Sequence, residues 1–334
     1  MREDGQNAPP TLIAGRDYDE DFNGRLVFSR EYLLARGTCC GSKCRNCPYE
    51  NRSILAPKPT RNQPLVLSFV PSWTETLLAL DVEVARRTRF CIHPKGLVKS
   101  VPAIGGTKNF SPGLEEEIQS IRARAAGRPL MAILDREENP RAFYDDLLRL
   151  GVTPVVTHVD SLESLPGELA RLSEALAADE LLTLKQRFER VLESREKVRP
   201  ERVLKRLVLR SSSGRSSNGL EMSSILQAEK LAYVIWKKPW MCVSHQTLIA
   251  QVLEFVLHRP KGSSEEFLFA PKGARYPEFE SFPESVLPLY STEPYPFLRE
   301  ADQLPKGLFL DGELYSWFGI RLLRFLEDVL ELSK

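Results

Sequence analysis

Four of the six cysteines fall within nine positions, in GTCCGSKCRNCPY, as Cys39, Cys40, Cys44 and Cys47. The Cys44-x-x-Cys47 pair has the reach to hold one metal ion through two thiolates. Gly37 and Gly41 permit tight turns, and Pro48 stops any regular element. Four soft ligands on one short loop suit zinc or an iron–sulfur cluster, with thiol redox chemistry as the competing use. Neighbouring side chains diverge, so one of Cys39 and Cys40 can stand outside the ligand set. A second pairing lies in TRFCIHP, residues 88–94, where Cys91 and His93 are two positions apart and Pro94 prevents a continuing helix. Two readings stand: a turn that presents an imidazole to a ligand, or a buried thiol beside a solvated histidine.

Composition bounds what surrounds these groups. The apolar and charged fractions are those of an ordinary globular protein. Forty-six basic against forty-five acidic side chains leave a net charge of +1, so no long-range field favours nucleic acid or an anionic membrane. No run approaches the roughly 18 to 20 apolar residues of a membrane span, and MREDGQNAPPTLIAGRDYDEDFNGR has no apolar core that could serve as a signal peptide. The expected location is the cytoplasm. Reducing conditions there make disulfides rare and direct clustered cysteines toward metal or redox use.

The elements that must position these residues read as α/β. After the cysteine-rich stretch, NRSILAPKPTRNQP is a polar, proline-bearing linker. LVLSFV (65–70) is an apolar run typical of a buried parallel strand, followed by a helix in SWTETLLALD with a Ser or Thr N-cap and Glu75 in its first turn. PLMAILD (129–135) and TPVVTHV (153–159) are further strands around a helix closed by Gly151. Helical spacing from Leu162 to about Val198, interrupted near Pro166-Gly167 and weakened at Ala177-Ala178, is read as one long helix. KLAYVIW (230–236), VLPLYS (286–291) and GLFLDG (307–312) are strands of a second segment that ends in the amphipathic helix FGIRLLRFLEDVLELSK. The expected organisation is a Cys-rich module at 1–55, a linker at 56–64, lobe 1 at 65–161, a backbone helix at 162–199, a charged and serine-rich insertion at 200–228 and lobe 2 at 229–334. RSSSGRSSNG, within that insertion, reads as an exposed loop.

In open α/β sheets the ligand site lies beyond the carboxyl ends of the strands. Trp73, Trp240, Tyr295, Phe297 and Trp317 all follow predicted strands, and flat aromatic faces on such loops suit a macrocyclic ligand better than core packing alone. Gly105-Gly106-Thr107 permits close backbone approach. Arg89 suits amide or phosphate groups, whereas Arg86 and Arg87 read as solvated. Glu137, Glu138 and Glu293 line a cleft or meet a basic partner, and Arg321 holds a loop or an acidic group. His158 reads as a hydrogen-bonded core residue.

Read in order, LSFVPSWTETLLAL, RRTRFCIHP, GGTKN, REEN, IWKKPWMCV, RYPEF, TEPYPF and DGELYSWFG make residues 62–334 resemble the helical-backbone metal receptor superfamily. The branch is the cobalamin-binding-protein-like one, related to substrate-binding subunits of vitamin B12 and siderophore ABC importers. The stretch around 15–55 also resembles small bacterial modules with a CCG-x-x-C-x-x-CPY signature. The resemblance implies an α/β fold of two Rossmann-like lobes joined by a long backbone helix, preceded by the Cys-rich module, with a shallow ligand cleft between the lobes. It implies a corrinoid or other metal chelate as the small-molecule partner, without nucleic acid or membrane insertion. Thr74, Cys91, His93 and Asn139 join the ligand-facing residues, with His93 on the metal centre. Partnership with an ABC permease is not expected, and a cytosolic holder of the chelate is the function that follows.

No P-loop, G-x-G-x-x-G after a strand, G-x-S-x-G elbow or H-E-x-x-H occurs. The alternative to a binding protein is a redox or metal-dependent enzyme whose iron–sulfur or zinc site is the cysteine module. Elemental analysis of anaerobically purified chain is expected to give about one zinc, or iron with sulfide, per molecule. The Cys44→Ser plus Cys47→Ser variant should lose it, and unchanged metal content would exclude these ligands.

Overall fold

The computed structural model describes residues 12, 17–20, 26–29, 32, 33, 44, 46, 47, 63–209 and 223–334. The chain divides into two compact units, residues 1–130 and 131–334.

In the first unit, β1 (Tyr18–Glu20) and β2 (Leu26–Phe28) form an antiparallel pair. Beyond it the Tyr32 ring stacks on Phe28 at 5.1 Å. The Asn46 side-chain amide donates to the Phe28 carbonyl at 2.9 Å, and the Cys47 N–H to the Cys44 carbonyl at 3.2 Å. The Cys-x-x-Cys turn is thus fastened to the end of β2. Cys39 and Cys40 lie outside the described residues.

Buried on every residue, β3 (Leu65–Ser68) runs parallel to β4 (Val84–Arg87), with the helix Pro71–Ala79 between them in sequence. The expected Ser or Thr cap is absent: the helix starts at Pro71 after an extended Val70. Proline suits that first position because its missing N–H would have had no intrahelical partner. The sequence reading passed over β4, and its two arginines are not solvated. Arg86 is buried and paired with Glu117, while Arg87 donates through Nε to the Val98 carbonyl at 3.0 Å. Glu117 sits in the first turn of the helix Leu114–Arg124, which begins with three glutamates and ends with Arg122 and Arg124, complementing the helix dipole.

In the second unit, β5 (Leu130–Asp135) and β6 (Thr153–Thr157) are parallel, joined by the helix Arg141–Arg149 and the left-handed Gly151 at φ 68°. Residues 162–199, expected as one helix, hold two: Ser164–Leu176 and Glu180–Glu193, packed on each other. Ala177 takes a left-handed conformation at φ 49°, the Ala178 N–H returns to the Ser173 carbonyl, and the Ser173 hydroxyl holds the Ala178 carbonyl at 2.9 Å. Backbone closure of this kind ends a helix even between two good helix formers. Pro166 is absorbed in the first turn, where it costs little. On the second of these helices Arg187 forks onto Glu327 of the terminal helix Ile320–Leu332 at 2.8 and 3.0 Å.

The expected insertion at 200–228 is partly regular, with the helix Pro200–Leu207, β7 (Val208–Leu209) and the helix Ser223–Gln227; 210–222 lie outside the described residues. β7 joins a six-stranded sheet with β8 (Lys230–Trp236), β9 (Trp240–Cys242), β10 (Glu278–Phe279), β11 (Val286–Ser291) and β12 (Leu308–Leu310), in the order β10-β9-β8-β11-β12-β7. β8, β11 and β12 are mutually parallel, and the strands outside them pair antiparallel.

The strained Ala177 gives a direct check. Ala177→Gly removes the Cβ penalty of a left-handed residue and is expected to raise stability by about 1 kcal/mol in urea unfolding. No gain would mean that the turn is held without strain.

Candidate functional site

TRFCIHP leaves the end of β4 as a tight turn, the Cys91 N–H reaching the Thr88 carbonyl at 3.1 Å. The Cys91 Sγ lies 3.0 Å from the Thr74 hydroxyl and 3.2 Å from that of Thr88. Thr74 in turn donates to the Ser68 Oγ at 2.8 Å. These four side chains are buried, and burial raises the Cys91 thiol above its ordinary pKa despite both hydroxyl contacts. Cys91 and Thr74 therefore lock the loop onto β3 and the first helix, and Trp73 beside them is fully buried. What the loop presents is Phe90 and Ile92, each 48% exposed, with His93 half-buried.

The glycine loop meets this one. The Arg89 N–H donates to the Gly105 carbonyl at 2.8 Å and the Gly106 N–H to the Asn109 carbonyl at 2.7 Å. Gly105 has φ 146°, and a side chain there would start 2.5 Å from the Asn109 carbonyl, so glycine is required. A Cβ on Gly106 would come 3.2 Å from the Phe90 ring, over which the Arg89 guanidinium also lies at 5.1 Å. Arg89, Phe90 and half-buried Thr107 thus form one surface of the first unit over the buried Gly106.

At the end of β5, Asn139 accepts from the Asp135 N–H at 2.8 Å and its own N–H returns to the Asp135 carbonyl at 2.9 Å. The Asp135 carboxylate takes the Glu137 N–H and the Thr157 hydroxyl, each at 2.9 Å. Burial raises the Asp135 pKa against these contacts. Asn139 is thus a fastening of the turn, beside a cavity of about 430 Å³ lined by Asp135, Arg136, Asn139, Arg141 and Tyr144.

β8, β11 and β12 bring the remaining groups to their carboxyl ends. Trp236, 41% exposed, stands at 78° to the Tyr295 ring with centroids 5.4 Å apart. The Tyr295 hydroxyl donates to Glu300 at 2.7 Å, and Lys237 reaches the other oxygen of the same carboxylate at 2.6 Å. Both contacts hold the Glu300 carboxyl below its ordinary pKa, that of Lys237 most. Trp240 is not on a loop: it sits on β9, which folds back from β8, and stacks 6.3 Å from the fully buried Phe297 among Phe282 and Tyr290. Arg321 pairs with Glu313 at 2.8 Å and covers the half-buried Trp317 at 5.1 Å, so it holds the loop. Glu293 is exposed, and partial desolvation with Glu313 and Asp311 nearby raises its pKa.

Of the expected ligand-facing aromatics, Trp73 and Phe297 are core and Trp240 belongs to an aromatic cluster. Tyr295 stands half-buried on the loop after β11, and Trp317 stands half-buried at the end of the short helix Gly312–Ser316. Among the described residues the exposed rings are Phe90, Trp236 and Tyr276, which the sequence reading did not single out. Trp236 closes the run KLAYVIW, and the last residue of a buried strand is where the chain leaves the sheet.

Several solved proteins share this architecture. The periplasmic vitamin B12 binding protein BtuF of Vibrio cholerae is 14% identical, with a TM-score of 0.52 over 81% of this chain and 96% of that one. The periplasmic heme-binding protein RhuT from Roseiflexus sp. RS-1 is 14% identical, with a TM-score of 0.53 over 81% and 98%. The siderophore binding protein FhuD of Vibrio cholerae, bound to Fe3+–Desferal, is 13% identical, with a TM-score of 0.50 over 82% and 100%. The chain shares the fold of these binding proteins. It is α/β with two Rossmann-like lobes, as the eight motifs implied. Residues 8–53 match a family described as of unknown function, DUF5522. No curated protein matches the chain. Among the described residues no helix is long and apolar enough to cross a membrane, and no group of three or more His, Cys, Asp or Glu is arranged to hold a metal.

Asp135 yields a pH prediction. Its folded pKa is raised above the ordinary 3.8, so its contribution to stability is full below that value and is lost as pH rises through the folded value. Asp135→Asn keeps the acceptor for the Glu137 N–H without the charge. Urea unfolding from about pH 4 to about pH 7 is therefore expected to fall less steeply in the variant than in wild type. Parallel curves would show that the carboxylate is not penalised.

Proposed function

We propose that this chain binds a metal chelate on the loops at the carboxyl ends of its strands, with a corrinoid or a related planar macrocycle as the ligand class. The observation that carries the reading is Trp236, an exposed indole on a strand end, braced by Tyr295 and so pre-set as a stacking face. A ring already held in place loses little entropy when a flat ligand covers it. The fold supports the same reading, since proteins that share it over nearly their whole length bind vitamin B12, heme and a ferric siderophore. On the first unit, described by itself, His93 is half-buried beside exposed Ile92 and offers an imidazole of the kind that ligates cobalt or iron. At the N-terminal module, Cys44 and Cys47 on one tight turn suit a shared zinc or iron–sulfur site completed by Cys39 and Cys40.

Titration with cyanocobalamin, cobinamide, haemin and ferric desferrioxamine, followed by tryptophan quenching and absorbance, tests the reading. At least one is expected to bind, with affinity reduced roughly ten-fold or more in Trp236→Ala at unchanged stability. Trp240→Ala should instead lower stability, by about 3 kcal/mol. Absence of binding by all four would overturn the proposal.

A further inference from the structure

Glu137 and Arg275 form an ion pair within the second unit, each side chain 30% exposed. Tyr276 adds its hydroxyl to the same carboxylate at 3.5 Å, and its ring lies 6.0 Å from the Arg275 guanidinium. Both sides are rigidly mounted. Glu137 follows β5, its N–H held by the Asp135 carboxylate at 2.9 Å. On the other side the Arg275 carbonyl accepts from Ser244 at 3.0 Å and the Pro277 carbonyl from Cys242 at 3.2 Å, just before Glu278 and Phe279 pair with β9. One side-chain pair therefore bridges the β5 turn and the rim of the six-stranded sheet.

That pair leaves a donor unused. Glu137 meets the guanidinium through Nη1, whereas the Arg275 Nε is shielded from solvent and has no hydrogen-bond partner. Shielded N–H groups of a guanidinium are rarely left unpaired, because the lost hydration is not recovered. Arginine is built for planar, two-pronged recognition of a carboxylate, and the Nε side of its fork is the vacant one. A half-exposed ion pair adds little net stability, so opening it costs less than a charge-assisted hydrogen bond to the Arg275 Nε would return.

We propose that Arg275–Glu137 is a clasp opened by the ligand: an acidic group on the chelate takes Arg275 through Nε, and the Glu137 carboxylate is released to solvent. The inference rests on the binding function proposed above and narrows the ligand to chelates with a carboxylate on their periphery. Tyr276, exposed and adjacent, then has its ring available to the same ligand.

Haemin and haemin dimethyl ester differ only in those carboxylates and serve as probes on the full chain. The free acid is expected to bind wild type at least ten-fold more tightly than the ester. Glu137→Gln, which removes the competing charge, should tighten haemin several-fold. Arg275→Leu should bind acid and ester alike, at the affinity of the wild type for the ester. Equal binding of the two probes by wild type, or a preference that survives in Arg275→Leu, overturns the acid exchange. Binding of neither overturns it together with the haem-like ligand class, and hydrogen exchange of the unliganded chain then judges the clasp alone. Amides of 275–279 should exchange faster in Glu137→Gln, and the exchanged pair Glu137→Arg with Arg275→Glu should restore protection. Unchanged exchange in Glu137→Gln would overturn the clasp.

Discussion

Parallel pairing decides where this protein can do chemistry. Val286 to Tyr290 of β11 run in register with Lys230 to Val234 of β8, and Leu289 to Ser291 with Leu308 to Leu310 of β12. Three strands locked in one direction must release Trp236, Glu293 and Asp311 at a single edge of the sheet. Each return journey then has to cross a face, and that explains why the strands are buried in unbroken runs, Leu231 to Val234 and Leu308 to Leu310 among them, instead of alternating. The close fit of the edge follows. A Cβ on Gly312 would come 2.8 Å from the Glu293 backbone nitrogen, and one on Gly307 would come 2.7 Å from the Pro288 carbonyl. Deep between the strands the Tyr233 hydroxyl reaches Ser291 at 3.2 Å, and burial pushes its pKa far up, so it serves as a neutral cross-strand tie.

The same logic explains what could be read from sequence. KLAYVIW, VLPLYS and PLMAILD are legible because burial on both faces writes an unbroken apolar run. VARR is not, since two of its four residues are arginines whose tolerance depends on Glu117, thirty-one positions after Arg86, and on the Val98 carbonyl. The division of 162–199 into two helices was hidden because the turn is made by backbone groups around Ser173, with Ala177 where glycine would have announced it. Aromatic residues were visible as a set but not as individuals. Trp236 and Trp240 are four residues apart, and only the reversal of β8 into β9 sends one to the surface and the other among Phe282, Tyr290 and Phe297. In TRFCIHP the sequence left open whether the turn presents His93 to a ligand or is a structural turn around a buried Cys91. The hydroxyls that capture Cys91 come from Thr74, seventeen residues away, and from Thr88 within the loop itself. Only the nearer of those was available to a local reading.

Both borders of the six-stranded sheet are strands of two residues, Val208–Leu209 on one side and Glu278–Phe279 on the other, each antiparallel to its neighbour. A long parallel edge would expose a row of unpaired N–H and C=O groups, a template onto which another chain could add. Two-residue borders offer too few such groups to seed cross-chain addition. The sheet therefore ends itself: growth by addition of another chain is disfavoured on both sides by strand length alone.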